Sequence, residues 1–202
     1  MRFSRKDLIS SLATGFYTGF IAWRIFDFLN IPAYANISFS WLMIAVPFLW
    51  ILGVNLGYLL GRWFNFFNQF GKFAAIGFTN AAVDFGILNF LIFYSGTASG
   101  LLFSVFKGIS FIAASLHSYF WNKYWSFDAG KEGVSGLEFF KFFGVTIFAA
   151  LINVSAASII VNVIGVQFGL APEAWANIGA VIGSAVALVA SFVGFRVLVF
   201  KK

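Results

Sequence analysis

The chain of 202 residues is 61% hydrophobic and only 10% charged, with a mean hydropathy of +0.92. Soluble domains carry about 25% charged residues, so this composition excludes a water-soluble globular fold and favours a surface that faces lipid. The absence of cysteine excludes disulfides, thiolate metal sites and a cysteine nucleophile. The net charge of +6 does not indicate nucleic acid binding, because the basic residues stand at the ends of apolar segments and form no patch.

The acidic residues and the one histidine are scattered along the chain. The seven acidic side chains and His117 show neither metal-ligand spacing nor the pairing that acid–base catalysis needs. The sequence therefore predicts a protein without enzyme activity, without catalytic or metal-binding residues and without a cofactor.

Six apolar stretches are long enough to cross a bilayer, which takes roughly 20 residues in a helix. Short polar turns, or turns that contain glycine or proline, separate them, and none of these connections could hold a domain. The sequence therefore predicts an all-α polytopic membrane helix bundle of about six transmembrane helices. The predicted spans are 8–29, 39–61, 71–94, 100–122, 139–163 and 175–198.

The positions of the basic residues predict the orientation of these spans. With a cytoplasmic N-terminus, eleven of the 13 lysines and arginines fall on the cytoplasmic side, and the opposite loops, 30–38, 95–99 and 164–174, contain none. This is the positive-inside pattern. We therefore expect a multi-pass protein of the cytoplasmic (inner) membrane with its N- and C-termini in the cytoplasm.

Two sequence features indicate what surrounds the second predicted span. Residues 63–70 mix aromatic and amide side chains and predict an interfacial linker at the headgroups, or else a continuation of the second helix. Gly53, Gly57 and Gly61 recur every four residues and predict a close helix contact. That contact docks the helix on the rest of the chain or mediates a homodimer.

An internal repeat divides the second part of the chain. Lys72-Phe73 is followed by Asp84 at the spacing that separates Lys141-Phe142 from Asn153, and Ser118, Lys123 and Phe127 share their spacing with Ser191, Arg196 and Phe200. Each copy holds two helices, so the copies, about 71–127 and 139–200, are parallel and related by a pseudo-two-fold axis. Residues 1–62 are then an added N-terminal transmembrane helix pair, residues 63–70 a linker, and residues 71–202 a four-helix core.

The core carries a characteristic set of residues in both copies of the repeat. They are Lys72-Phe73, Gly77, Asn80, Asp84-Phe85, Lys107, Ser110-Phe111, Ser118-Tyr119-Phe120, the helix-exit motif Asn122–Phe127, and the second copy in Phe139–Asn153 and Ser191–Phe200. This set resembles the GtrA-like family of small membrane proteins, over about residues 70–202 and without the first two helices. The resemblance implies a four-helix membrane unit that translocates polyprenyl-phosphate-linked monosaccharides or assists glycosyltransferases in making cell-surface polysaccharides.

Depth in the bilayer predicts a polar centre. At about 1.5 Å per helical residue, Asp84 and Lys107 reach a similar level just outside the midplane, Asn80 lies one turn from Asp84, and Asn153 reaches nearly the same depth. Ionisable groups are costly in a bilayer and commonly mark a substrate path. The alternative is that Asp84 and Lys107 only neutralise each other and fix adjacent helices.

For a lipid-linked sugar, Lys107 would neutralise the phosphodiester, and the amides and Asp84 would bind sugar hydroxyls. Lys123 and Arg196 are predicted to extend to the headgroups, with capture of phosphate on the cytoplasmic side as a second role. The six predicted substrate-binding residues are Asp84, Lys107, Asn80, Asn153, Lys123 and Arg196.

The remaining polar and aromatic candidates are predicted to be structural. Arg24 and Asp27, three residues apart near the outer end of the first span, are expected to form a local ion pair. His117 is expected to be a hydrogen-bonded polar residue, with a pH-sensitive gate as the alternative. Trp125 is expected to be a residue of the aromatic belt.

Three functions remain open from the sequence. The leading hypothesis is a translocator (flippase) of a polyprenyl-phosphate-linked monosaccharide, with that lipid and the membrane lipids as partners. The first alternative is a non-transporting membrane anchor or assembly partner of a glycosyltransferase, in which Lys107 would be dispensable. The less favoured alternative is a small proton-coupled solute transporter that titrates Asp84.

Overall fold

The computed structural model describes residues 3–32, 37–126 and 136–194, and within the last range it describes the side chains of residues 143, 144 and 146–187. This part of the chain contains six helices and no strand. They are α1 (Arg5–Phe28), α2 (Leu42–Leu60), α3 (Phe67–Ser95), α4 (Gly100–Trp121), α5 (Gly136–Ser158) and α6 (Pro172–Gly194). A 3-10 turn, Phe39–Trp41, precedes α2, and π-helical segments extend α4 through Asn122–Ser126 and α5 through Ile159–Ile164.

The helices lie where the six apolar stretches predict them, which confirms the all-helical fold class. Within the described residues, four helical stretches are long and apolar enough to cross a membrane: Phe39–Leu60, Phe67–Ser95, Gly100–Ser126 and Thr146–Ile164. The protein is therefore a helical membrane protein, and the spanning role of α1 and α6 stays a prediction.

The exposed face of α1 carries large apolar side chains and its buried face carries hydroxyls and glycines. Its exposed apolar residues include Leu8, Ile9, Leu12, Phe16 and Phe20, and its buried residues are Asp7, Ser10, Ser11, Thr14, Gly15, Thr18 and Gly19. This reverses the pattern of a soluble helix. Helices in lipid pack through small and hydroxyl residues and turn bulky apolar residues outward. This explains how a helix of modest hydropathy suits this bundle.

Glycines let α2 approach the start of α3 at backbone distance. A Cβ atom on Gly57 would lie 2.8 Å from the Phe67 carbonyl oxygen, and a Cβ atom on Gly71 would lie 2.8 Å from the carbonyl oxygen of Gly53. A Cβ atom on Gly61 would overlap the side chain of Asn68. The glycine stripe of α2 therefore docks this helix within the chain.

The segment between α2 and α3 is a turn, because α2 ends at Leu60 and α3 begins at Phe67. Trp63, Phe64 and Phe66 are exposed there. Residues 63–66 are therefore not a continuation of the second helix, whereas residues 67–70 of the predicted linker belong to α3. The position of this segment at the headgroups stays a prediction.

The chain forms two compact units whose division does not follow the predicted domains. Unit 1 contains residues 1–86 and 114–133, and unit 2 contains residues 87–113 and 134–202. Unit 1 thus holds α1, α2, the first part of α3 and the last part of α4. Unit 2 holds the remaining parts of α3 and α4 with α5 and α6. The separation of residues 1–62 from 71–202 as domains stays a prediction.

Candidate functional site

Lys107 is a buried cation in unit 2. It lies on α4 inside the candidate span Gly100–Ser126 and is fully buried, at 0% exposure. Its ammonium nitrogen is 5.9 Å from the centre of the Phe111 ring, and the Ser110 hydroxyl donates a hydrogen bond of 3.1 Å to the Lys107 carbonyl oxygen. A buried lysine in a spanning helix is costly and marks a functional position by default.

Asn153 lies on α5 of the same unit and is also 0% exposed. Its Nδ2 donates a hydrogen bond of 3.2 Å to Ser184 Oγ on α6. Within the described part of the chain, its Oδ1 accepts no hydrogen bond. The close approach of the helices supports this geometry, since a Cβ atom on Gly183 would lie 2.5 Å from the Asn153 carbonyl oxygen. Asn153 thus offers a buried, unused acceptor, a state that costs free energy until a donor arrives.

A ladder of small and polar residues joins α4 to α5 in unit 2. Asn162 Oδ1 accepts a bond of 2.6 Å from the Gly100 N–H, and Ser104 Oγ lies 2.6 Å from Ser158 Oγ. A Cβ atom on Gly108 would lie 3.7 Å from a methyl group of Val154. These contacts recur every four residues in opposite directions along the two helices. Lys107 adjoins Gly108, and Asn153 adjoins Val154. This register therefore brings Lys107 and Asn153 to a similar level along the α4–α5 pair.

A second polar pair in unit 2 was not predicted. Asn89 and Asn177 exchange hydrogen bonds of 2.8 Å and 2.7 Å between α3 and α6. The internal repeat aligns Asn89 with Ser158 and Asn177 with Ser104, so the amide pair and the serine pair occupy equivalent positions, as a pseudo-two-fold axis requires. The alignment of the two repeat copies could have located this pair, because it places a polar residue opposite a polar residue at both positions.

The remaining predicted site residues belong to unit 1 or lie outside the described residues. Asp84 on α3 is 5% exposed, and Asn80 Oδ1 is buried without a hydrogen bond among the described residues. The Asp84–Lys107 pair stays a prediction, because the two residues belong to different units. Arg196 lies outside the described residues.

Two predictions for the end of α4 are wrong. Lys123 does not extend to headgroups but is buried, with its ammonium 5.8 Å from the centre of the Tyr119 ring. Trp125 is not a belt residue, because it is 1% exposed and its indole N–H is used inside unit 1. The π-helical segment Asn122–Ser126 shifts the side chains relative to a regular helix, which the sequence pattern does not reveal.

The predicted ion pair of Arg24 with Asp27 and the predicted role of His117 both concern unit 1. Arg24 and Asp27 form the expected ion pair at 3.2 Å, and both side chains are largely exposed. His117 Nε2 lies 2.5 Å from the Tyr17 hydroxyl, while its Nδ1 is buried without a partner among the described residues. The expectation of a hydrogen-bonded histidine is therefore met at one ring nitrogen only.

Asp7 is a hydrogen-bond acceptor for several parts of unit 1, although the sequence pattern assigned it no role. Its Oδ1 accepts hydrogen bonds from Lys72 Nζ at 2.8 Å and from Trp125 Nε1 at 3.0 Å. Its Oδ2 accepts from the Tyr58 hydroxyl at 2.9 Å, and from the N–H and hydroxyl of Ser4 at 2.9 Å and 2.8 Å. Asp7 is 1% exposed. Four separate parts of the chain therefore converge on one carboxylate.

These donors keep the carboxylate charged. Burial alone would raise the pKa of Asp7, but the hydrogen bonds from Lys72, Ser4 and Trp125 outweigh it and lower the pKa from 3.8 to about 2. Asp7 also closes a capping box with Ser4 at the start of α1. That box was the available signal in the sequence, although the partners from α2, α3 and α4 were not predictable from local spacing.

The fold and these buried polar groups define a helical membrane protein with polar and ionisable side chains inside its spans. The family model of the GtrA/DPMS transmembrane domain matches residues 72–200. The chain therefore belongs to the GtrA/DPMS family, whose members are associated with processes that involve polyprenyl-phosphate-linked sugars. Neither a curated protein nor a solved structure matches the chain.

Proposed function

We propose that the protein translocates a polyprenyl-phosphate-linked monosaccharide across the cytoplasmic membrane, for the synthesis or modification of cell-surface glycans. The observation that carries the proposal is the fully buried Lys107 in a candidate spanning helix of a GtrA/DPMS domain. A sugar linked through phosphate is anionic, and a cation inside the bilayer lowers the cost of moving that charge.

The sugar needs hydrogen bonds to replace water during transfer. The unused Oδ1 of Asn153, which lies in the same unit as Lys107, accepts from one sugar hydroxyl. The predicted depth of Asp84 and Asn80 in the sequence supports the proposal that they too accept from sugar hydroxyls. The polyprenyl tail stays in lipid against the exposed phenylalanines. In this proposal the protein moves the lipid without making or breaking a covalent bond.

Basic residues stand at the cytoplasmic end of the proposed path. Lys123 and Arg196 occupy equivalent positions of the internal repeat in the sequence, on the proposed cytoplasmic side. In this proposal their positive charges attract the phosphate as it enters, Lys123 from its buried position. Both termini of the chain lie in the cytoplasm in this arrangement, in agreement with the distribution of basic residues.

A liposome assay with a defined polyprenyl-phosphate monosaccharide tests the proposal. Lys107→Ala should abolish translocation while the purified protein keeps its helix content and monodispersity. Arg24→Ala is the matched control, because it also removes one positive charge but at an exposed ion pair, and it should transport normally.

The outcome also separates the rival function. If Lys107→Ala transports as well as the unaltered protein, Lys107 is not part of the path. If the unaltered protein itself moves no lipid but co-purifies with a polyprenyl-phosphate glycosyltransferase and raises its activity, the chain is an assembly partner and the translocation proposal is wrong.

A further inference from the structure

Three hydrogen-bond donors from three helical segments of unit 1 point at the space that the Asp7 carboxylate fills. They are Lys72 Nζ at 2.8 Å, the Tyr58 hydroxyl at 2.9 Å and Trp125 Nε1 at 3.0 Å. The Lys72 ammonium also lies 5.5 Å from the centre of the Tyr58 ring, which orients it. One full positive charge and two neutral donors make a site for an anion.

The donors and the carboxylate come from different helical segments. Lys72 and Trp125 lie in the segment that matches the family, residues 72–200, whereas Tyr58 and Asp7 lie before it. The carboxylate stands on the first turn of α1, and Ser4, which caps that turn, is exposed. The rest of α1 is fixed farther along, where Gly15 and Gly19 meet the backbone of α2. The first turn can therefore leave the site while the rest of the helix stays packed.

The site is also close to the surface. The side chain of Lys72 is 14% exposed although its ion-pair partner is 1% exposed. The ammonium can thus be reached from outside once the carboxylate moves. Lys72 lies in the second turn of α3, beside the exposed aromatic turn at Trp63–Phe66, and a group at this end of α3 can come from the headgroup layer.

We propose that Lys72, Tyr58 and Trp125 form a phosphate-binding site that Asp7 occupies in this structure, and that a phosphate monoester displaces the first turn of α1 to bind there. A carboxylate has two oxygens for these donors, whereas a phosphate monoester presents three terminal oxygens, one for each. The phosphate comes either from a lipid headgroup or from free phosphate. The added N-terminal helix then acts as a tethered competitor for this site.

This inference stands independently of the proposed translocation. It uses residues of unit 1 around Asp7, whereas the proposed function rests on Lys107 in unit 2. Loss of transport in Lys107→Ala would not affect it, and the measurements below record binding and not transport.

The first experiment uses the unaltered protein in nanodiscs of phosphatidylcholine, alone or mixed with phosphatidic acid or with phosphatidylglycerol. Phosphatidic acid carries a phosphate monoester, and phosphatidylglycerol supplies anionic charge without one. We expect phosphatidic acid to increase hydrogen exchange of the amides in residues 5–10 at least several-fold, since the first turn leaves its capped position. Unchanged exchange, or an equal increase with phosphatidylglycerol, would overturn the proposal for a lipid.

The second experiment empties the site and uses inorganic phosphate as the probe. Asp7→Ala leaves the three donors without their acceptor, so phosphate should raise its thermal midpoint in a concentration-dependent way that the unaltered protein does not show. Asp27→Ala is the matched control, because it removes the same charge from the other end of α1. A response of Asp7→Ala no larger than that of Asp27→Ala contradicts the proposed site.

A third variant keeps the test decisive if Asp7→Ala does not fold. Asp7→Asn retains the volume of the side chain but loses the charge, so phosphate competes with it more easily than with the carboxylate. It should respond to phosphate, and adding Trp125→Phe, which removes one donor, should reduce the apparent affinity several-fold. Absence of a response in Asp7→Asn would also overturn the proposal.

Discussion

In unit 1 a buried carboxylate on α1 accepts hydrogen bonds from α2, α3 and the π-helical end of α4, whereas in unit 2 neutral amides and hydroxyls pair between helices. The first arrangement concentrates the polar contacts on one charged group. The second distributes them over equivalent pairs of an internal repeat. A charged centre loses all its contacts with one substitution, whereas neutral pairs can be removed one at a time. The two units should therefore respond to mutation very differently.

The largest effect is expected from Asp7→Ala. The change leaves the buried ammonium of Lys72 and the donors of Tyr58 and Trp125 without an acceptor, and breaking a buried ion pair in this way costs about 3–5 kcal/mol. Denaturant unfolding in detergent, followed by tryptophan fluorescence, measures the loss. Asp27→Ala should change the free energy of unfolding little, because its ion pair is exposed. If both variants changed the free energy of unfolding equally, the hydrogen bonds to Asp7 would not be the main polar contacts that stabilise unit 1.

The contrast between the units also shows what the sequence can predict. The length of the apolar stretches predicts six helices, because it depends on the solvent around the chain. The ion pair of Arg24 and Asp27 is predictable as well, since it depends only on spacing along one helix. Asp7 is different, because its partners are distant in sequence and meet only after the helices pack.

The end of α4 marks a second limit. Lys123 and Trp125 occupy positions typical of an interface, yet both are buried. A regular helical projection fails there because the backbone widens to a π-helix over Asn122–Ser126. In the candidate site, Lys107 and Asn153 are buried, as expected of polar groups that face the inside of a helix bundle. The pairing of Asn153 with Ser184 depends on the packing of α5 against α6, which the sequence does not reveal.

Acid should selectively weaken unit 1. The pKa of Asp7 is lowered from 3.8 to about 2 in the folded protein, so its contribution is complete above the unfolded value and is lost as the pH falls from about 4 to 2. The corresponding stability is about 2 kcal/mol. Unfolding curves between pH 6 and pH 2.5 should show this loss in the unaltered protein. In Asp7→Asn the pH dependence should be smaller over the same range, and an identical slope would contradict the assignment.

The amide pair of unit 2 should show a smaller effect that can be reversed. Asn89→Leu removes both hydrogen bonds between Asn89 and Asn177, while Asn177 Nδ2 keeps its bond to the Glu173 carbonyl oxygen, so the expected cost is about 1–2 kcal/mol. The double variant Asn89→Leu with Asn177→Leu replaces both groups by apolar ones and should recover most of that loss. A double-mutant cycle in detergent measures the coupling. If the double variant loses as much as the two single changes together, the pair is not an independent neutral contact.

The smallest effect is expected at the serine pair, which the internal repeat aligns with the amide pair. Ser158→Ala removes one hydroxyl from the contact with Ser104, whose hydroxyl keeps a nearby acceptor in the Gly100 carbonyl oxygen at 3.5 Å. The expected loss is about 0.5 kcal/mol, in the range of interhelical hydrogen bonds in membranes. Ser155→Ala, an exposed position on the same helix, is the control and should cause no change. Ser158→Ala could instead lower the free energy of unfolding as much as Asn89→Leu. The two equivalent pairs would then contribute the same stability despite their different side chains, and the expected order of effects would be wrong.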